Sequence, residues 1–253
     1  IKLSKSAKKQ SEFLSALKES GEADYTLSCE RYGRGAVNSV IEKGGAELLK
    51  VRVNRTPSGY DGGVEAGKTL TPAQEGALKS IEEHPQTVHL IHGVTGSGKT
   101  EIYLNVISRA LAAGKTAIFL VPEISLTPQM FSQLKRRFGD KAAILHSGLS
   151  AGERFDEWWR LRTGEAKIAI GARSAIFSPL ENIGAIIIDE EHDGSYFSES
   201  APRYSTIEVA KMRARYNGCK LILGSATPSV ETYAKAVSGE YNLITLTERI
   251  NGR

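Results

Sequence analysis

Hydrophobic positions fall into two textures along this chain. From residue 88 onward, short apolar runs alternate at regular spacing with amphipathic helical stretches, the runs covering 88–92, 117–121, 143–146, 167–170, 185–188 and 220–223. Near-continuous apolar strands separated by helices predict an α/β fold, a parallel sheet with helices on both faces whose ligand sits at the carboxyl ends of the strands. The first segment reads differently. Phe13, Leu14 and Leu17, then Leu27 to Tyr32, then Val37, Val40 and Ile41 recur at helical spacing, with breaks at Gly21 and Gly44-Gly45. After these three short helices, Glu47 to Asn54 alternates like a strand, and residues 56–67 are rich in Gly, Pro and Asp. This fits either a small winged-helix domain, its third helix at Arg34 to Lys43, or a generic helical one. The expected division is a winged-helix-like DNA-binding domain at 1–56, a linker at 57–68 and the α/β lobe at 69–253.

Candidate chemistry clusters at the ends of the apolar runs. Gly93 to Thr100 reads GVTGSGKT, directly after VHLIH and before the helical stretch EIYLNVISRALAAG. This is a full match to GxxxxGK[ST] in the strand-to-helix context that gives the pattern meaning. In it Gly93, Thr95, Gly96, Ser97, Gly98 and the first helical residues, including Glu101, wrap a nucleotide's phosphates. Lys99 reaches the β- and γ-phosphates, and Thr100 offers its hydroxyl to Mg²⁺. A second run, AIII, delivers Asp189 and Glu190 to the same sheet edge, where adjacent carboxylates are costly without a cation. Asp189 is therefore the expected Mg²⁺ partner and Glu190 the residue that polarises attacking water. His192 is expected at the γ-phosphate region or at the next motif, Gly224 to Ser229 (GSATPS), which alone reads as a turn with a helix cap but resembles a helicase motif, a resemblance that implies that Ser225 and Thr227 couple the phosphate state to a DNA track. Everything leans on neighbouring strands bringing the Lys99 loop and the acids together. Upstream, LTPAQ offers Gln74 to an adenine edge and Thr71 as an N-cap with Pro72 following.

Three further segments follow strands: 120–129 (LVPEISLTPQ), 146–149 (HSGL) and 171–179 (GARSAIFSP), the last carrying Arg173 and Ser174. Their amides, hydroxyls and guanidinium can hold phosphates along one surface. Tyr196, Phe197, Arg203 and Tyr204 form an aromatic and cationic mix suited to stacking on bases. Trp158 and Trp159 read as packing within an amphipathic helix.

Composition changes little. The net charge is +4, with 12 Lys/Arg against 9 Asp/Glu in residues 1–68, which leaves 21 against 20 in the remainder, so the excess sits at the N-terminal end. Two cysteines without Cys/His clustering, Cys29 and Cys219, predict reduced thiols and no zinc site. No apolar run approaches a membrane span and no secretory pattern opens the chain, so a cytoplasmic protein is expected. It begins at Ile1 rather than Met, as a piece of something longer would.

Taken in order, LTPAQ, GVTGSGKTE, LVPEISLTPQ, HSGLS, IGARSAIFSPL, IIIDEEHD, the loop with PRY, and GSATPS resemble the first motor lobe of the PriA family of replication-restart helicases, over roughly 68–253. The resemblance implies a RecA-like P-loop NTPase lobe using ATP and Mg²⁺. It also implies 3′-to-5′ unwinding of DNA, forked and single-stranded, at abandoned forks of the bacterial nucleoid, with single-strand binding protein and primosome proteins as partners. Only 24 residues follow Ser229, so a second motor lobe and the family's cysteine-rich insertion are not in this chain, and unwinding by it alone is not expected. A RecG-like or restriction-type translocase, or a non-catalytic DNA-binding scaffold, shares the same motifs and stays open at this point.

Overall fold

The computed structural model describes residues 5–49 and 69–250. Its contacts divide the chain into two compact units, 1–53 and 54–253. In the first unit, α1 (Lys5–Ser20), α2 (Tyr25–Tyr32) and α3 (Arg34–Glu42) surround a small core of Phe13, Val37 and Val40. Asp24 caps α2 by accepting from the Leu27 amide at 2.8 Å. The strand expected over 47–54 is not described as one: residues 47–49 have no regular structure, and the rest of it lies outside the described residues, as does the linker at 57–68.

The second unit is a sheet with helices on both faces, as the alternation of textures predicts. Its elements are α4 (Pro72–Glu83), β1 (Val88–Gly93), α5 (Lys99–Ala112), β2 (Thr116–Leu120), α6 (Pro128–Phe138), β3 (Ala142–Leu145), α7 (Ala151–Thr163), β4 (Ile168–Gly171), β5 (Ile183–Asp189), α8 (Thr206–Asn217), β6 (Lys220–Ser225), α9 (Val230–Val237) and β7 (Asn242–Leu246). All strand pairs are parallel, in the order β3-β4-β2-β5-β6-β1-β7. The seventh strand, NLITL, is absent from the sequence reading because Asn242 and Thr245 interrupt its apolar run.

Alternation along the buried strands builds two cores. Ile91, Phe119 and Ile187 turn to the face covered by α4, α5 and α6, while Leu90, Ile118 and Ile186 turn to the face covered by α7, α8 and α9. Both faces being covered is why these strands read as continuous apolar runs.

One expectation needs correcting here. The strands bearing the phosphate-loop motif and the paired acids, β1 and β5, are not neighbours, because β6 lies between them and pairs with both. The gap is bridged by side chains, and β6 carries a glycine, Gly224, opposite Asp189 at the crossing point.

Candidate functional site

Gly98 and Lys99 begin α5, and Gly98 takes a left-handed φ of 84° that only glycine adopts cheaply. A Cβ on Gly98 would also lie 2.3 Å from Gln74 Nε2, so the loop and α4 are in intimate contact. Lys99 is buried and its ammonium donates to the Gly93 carbonyl at 2.7 Å, curling back over the loop it serves. Around it a cleft of about 490 Å³ is lined by the 94–101 loop, Gln74, Gln133, Asp189, Glu190 and Ile250. Lys99 and Asp189 therefore face one cavity at one end of the sheet.

Asp189 is the electrostatic centre of that cavity. Burial and the neighbouring Glu190 push its carboxyl up to about 6, against the pull of Lys99 and a hydrogen bond from Tyr103. The Tyr103 hydroxyl, on α5 four residues after Lys99, donates to Asp189 Oδ1 at 3.0 Å, and that of Tyr196 donates to the Asp189 backbone carbonyl at 2.8 Å. Burial and Asp189 hold both phenols in the protonated, donating form. Tyr103 reaches Asp189 across β6 because residue 224 is glycine: a Cβ there would lie 1.6 Å from the Tyr103 hydroxyl oxygen. Glu190 adopts φ 46°, a left-handed conformation costing about 1 kcal/mol for a residue with a side chain, and its carboxylate lines the cleft.

The cavity suits a magnesium nucleotide. Ser97 Oγ is buried without a hydrogen-bond partner, Lys99 supplies a cation, and Thr100 with Asp189 supplies the oxygens a hard divalent ion takes. Because the folded-state pKa of Asp189 is raised above its unfolded value near 3.9, its contribution to stability is fully present below that pH and is lost as pH rises through 6. Asp189→Asn is therefore expected to stabilise the nucleotide-free protein by about 3 kcal/mol at pH 8 and by under about 1 kcal/mol at pH 4. Urea unfolding at the two pH values checks this, and equal gains at both would remove the electrostatic explanation.

His192 settles between the acidic motif and GSATPS. Its Nδ1 lies 2.8 Å from Ser225 Oγ and 3.6 Å from Glu190 Oε2, and its Nε2 lies 3.4 Å from Thr227 Oγ1. Ser225 Oγ also accepts from the Thr227 amide at 3.0 Å, closing a small network. Glu191, the third acid of IIIDEEHD, faces away from the cleft. It is buried, and its carboxylate accepts from the Ser229 amide (2.7 Å), the Ser229 hydroxyl (3.2 Å) and the Thr232 hydroxyl (3.0 Å) at the start of α9. Glu191→Gln puts an amide among these donors, and a loss of about 1–2 kcal/mol in denaturant unfolding is expected. Unchanged stability would dismiss the cap.

Three residues are placed differently from expectation. Gln74 lines the cleft, but its amide is engaged: Oε1 accepts from the Thr71 amide at 2.8 Å in a capping box, and Nε2 donates to the Gly98 carbonyl at 3.2 Å. It ties the phosphate loop to α4 instead of presenting both groups to an adenine. Glu101 is buried, bonded to Asn105 and 3.9 Å from Arg137, turned to protein partners rather than offered to phosphate. Tyr196 is fully buried beneath Asp189 and has no face for a base. Tyr103, Gln133 and Ile250 belong to no motif and reach the cleft only through the packing of segments distant in the chain, which leaves no local pattern.

A second cleft, of about 590 Å³, opens at the ends of β3 and β4 and is lined by His146, Ser147, Arg154, Trp158, Arg173, Ser174, Phe177 and Tyr204 among others. Arg173 donates to the Phe197 carbonyl and stands 5.8 Å over the Tyr204 ring, which packs edge-on against Phe177. Phe197 is 55% exposed, and Arg203, also exposed, donates to the Glu199 carbonyl at 3.1 Å. Trp158, read from sequence as packing, borders this cleft.

Residues 71–236 match the family model described as DEAD/DEAH box helicase. The chain is 54% identical over 188 residues, 73% of its length, to the replication restart protein PriA of Bacillus subtilis (strain 168), and covers 23% of it. It is 37% identical over 252 residues, 97% of its length, to the PriA of Haemophilus influenzae, covering 34% of that protein, so that likeness takes in the N-terminal helices. Among solved structures it is similar to RecG bound to a three-way DNA junction, with a TM-score of 0.52 and 25% identity over 74% of this chain and 25% of RecG. The chain thus spans about a quarter to a third of these curated relatives. With a phosphate loop and paired acids around one cleft in a RecA-like parallel sheet, the chain belongs to the DEAD/DEAH box helicase family, on its PriA branch.

Proposed function

We propose that this chain is the ATP-binding motor lobe of an ATP-dependent DNA helicase acting in replication restart, and that it unwinds 3′ to 5′ at stalled or abandoned forks in the bacterial cytoplasm. The observation that carries the reading is the shared cavity of Lys99, Asp189 and Glu190. When bound there, a magnesium nucleotide would supply the cation that neutralises Asp189 and a phosphoanhydride bond open to water. Lys99 and the loop amides would bind the phosphates, Thr100 and Asp189 would hold the ion, and Glu190 would orient the attacking water and accept its proton. Ser225, Thr227 and His192 form the hydrogen-bonded link through which the phosphate state is passed on.

DNA would run over the second cleft, with Arg173 and Ser174 on phosphates and Phe197, Arg203 and Tyr204 beside the bases. The first unit is read as a winged-helix DNA-binding domain, and residues 57–68 as the linker between it and the lobe. Single-strand binding protein and primosome proteins are the partners that the PriA likeness suggests. A motor of this kind closes its ATP site with a second lobe, so this chain alone should bind nucleotide and DNA weakly and not unwind. The test compares the ATPase of the full-length protein on forked, single-stranded and blunt duplex DNA, with unwinding assayed in both polarities. Fork-selective stimulation supports the reading; equal stimulation by any duplex points to a generic translocase, and none at all to a scaffold.

A further inference from the structure

Helix α7 buries more charged than apolar side chains. Its buried side carries Asp156, Glu157 and Arg160 beside Leu161, while Phe155, Trp158 and Trp159 are 54%, 38% and 38% exposed. The polar side has a definite task. β3 is an edge strand of the sheet, and the Glu157 carboxylate takes the Ile144 amide at 2.8 Å and pairs with Arg160 at 2.7 Å, while Arg160 donates to the Asp140 carbonyl. Covering an edge strand in this way leaves the aromatic stripe, at positions i, i+3 and i+4, partly exposed along the outer side of the helix. Adjoining, partly exposed rings of this size mark an interaction site.

The stripe adjoins the second cleft. Trp158 lines that cleft with Arg154, Arg173 and His146, and Glu123 is the only carboxylate among the residues lining it. Phe155 lies against both tryptophans, its ring centroid 6.4 Å from that of Trp158 and 6.2 Å from that of Trp159. Cationic groups grading into exposed rings match a strand whose phosphates are anionic and whose bases present flat faces.

We propose that Phe155, Trp158 and Trp159 form a base-stacking platform that carries a single-stranded DNA outward from the Arg173 cleft along α7. This rests on the reading of that cleft as a DNA surface. Aromatic rings take any base, so the platform adds affinity without sequence preference and without adding to the number of phosphates neutralised.

The protein reports on the site directly, because Trp158 and Trp159 are its only tryptophans. Titrating the 253-residue chain with oligothymidylate should quench its tryptophan emission in step with binding followed by anisotropy of a labelled oligonucleotide. Trp158→Ala with Trp159→Ala should weaken binding about tenfold or more with an unchanged salt dependence. Arg173→Ala should instead flatten the salt dependence. Trp158→Phe with Trp159→Phe, which keeps the rings and the fold, should restore most of the affinity. Binding by anisotropy without quenching, and with full affinity in the alanine variant, would overturn the platform while leaving the DNA-binding cleft standing, the result also expected if the stripe were kept for a protein partner. No binding of any oligonucleotide would overturn both.

Discussion

Glu190→Gln should lower DNA-stimulated ATP turnover of the full-length protein by about a hundredfold or more, while nucleotide affinity stays within about threefold. The amide keeps the shape and the left-handed backbone of Glu190, so the cleft is preserved and only the proton acceptor is lost. Single-turnover hydrolysis and binding of a fluorescent nucleotide separate the two effects. Unchanged turnover would take the catalytic role away from Glu190 and reopen the case for a nucleotide-sensing scaffold. The neighbouring Glu191→Gln is the internal contrast, since that carboxylate faces the start of α9 and its loss should register in stability.

Gly224→Ala is expected to cost about 3–4 kcal/mol of stability in denaturant unfolding. The new methyl would lie 1.6 Å from the Tyr103 hydroxyl oxygen and 2.7 Å from the ring carbon that bears it, both in a fully buried side chain that cannot swing away. Something must move, and what moves holds Asp189. Combining Gly224→Ala with Tyr103→Phe should cost less than the two single changes summed, because the colliding oxygen is then gone. Strict additivity would mean the damage arises elsewhere. Tyr103→Phe alone should weaken magnesium-dependent nucleotide binding more than magnesium-free binding, since it frees the carboxylate without touching the phosphate loop.

How much of this protein was written in its sequence can be judged element by element. The continuous runs VHLI, AIFL and AIII already demanded a two-sided parallel sheet, because apolar residues at both parities of a strand have to be buried on both faces. Lys99, Asp189 and Glu190 were legible because their chemistry depends on short-range patterns, a glycine loop opening a helix and acids ending a buried run. The strand NLITL was not, since an edge strand with one buried face carries too weak a signal.

What the tertiary structure decided are the relations across the sheet. That β6 separates β1 from β5, that Gly224 clears a path for Tyr103, that Gln74 spends its amide on the Gly98 carbonyl, and that Tyr196 is buried beneath Asp189 all join residues far apart in the chain. The same holds for α7: its aromatic residues read as core in a hydrophobic pattern, and only the exposed edge of β3, whose free amide calls for a carboxylate, turns them outward. Local pattern fixes which groups a chain can offer, and strand order fixes which of them meet. Strand order is settled by the burial of the whole sheet, which no single window of residues contains.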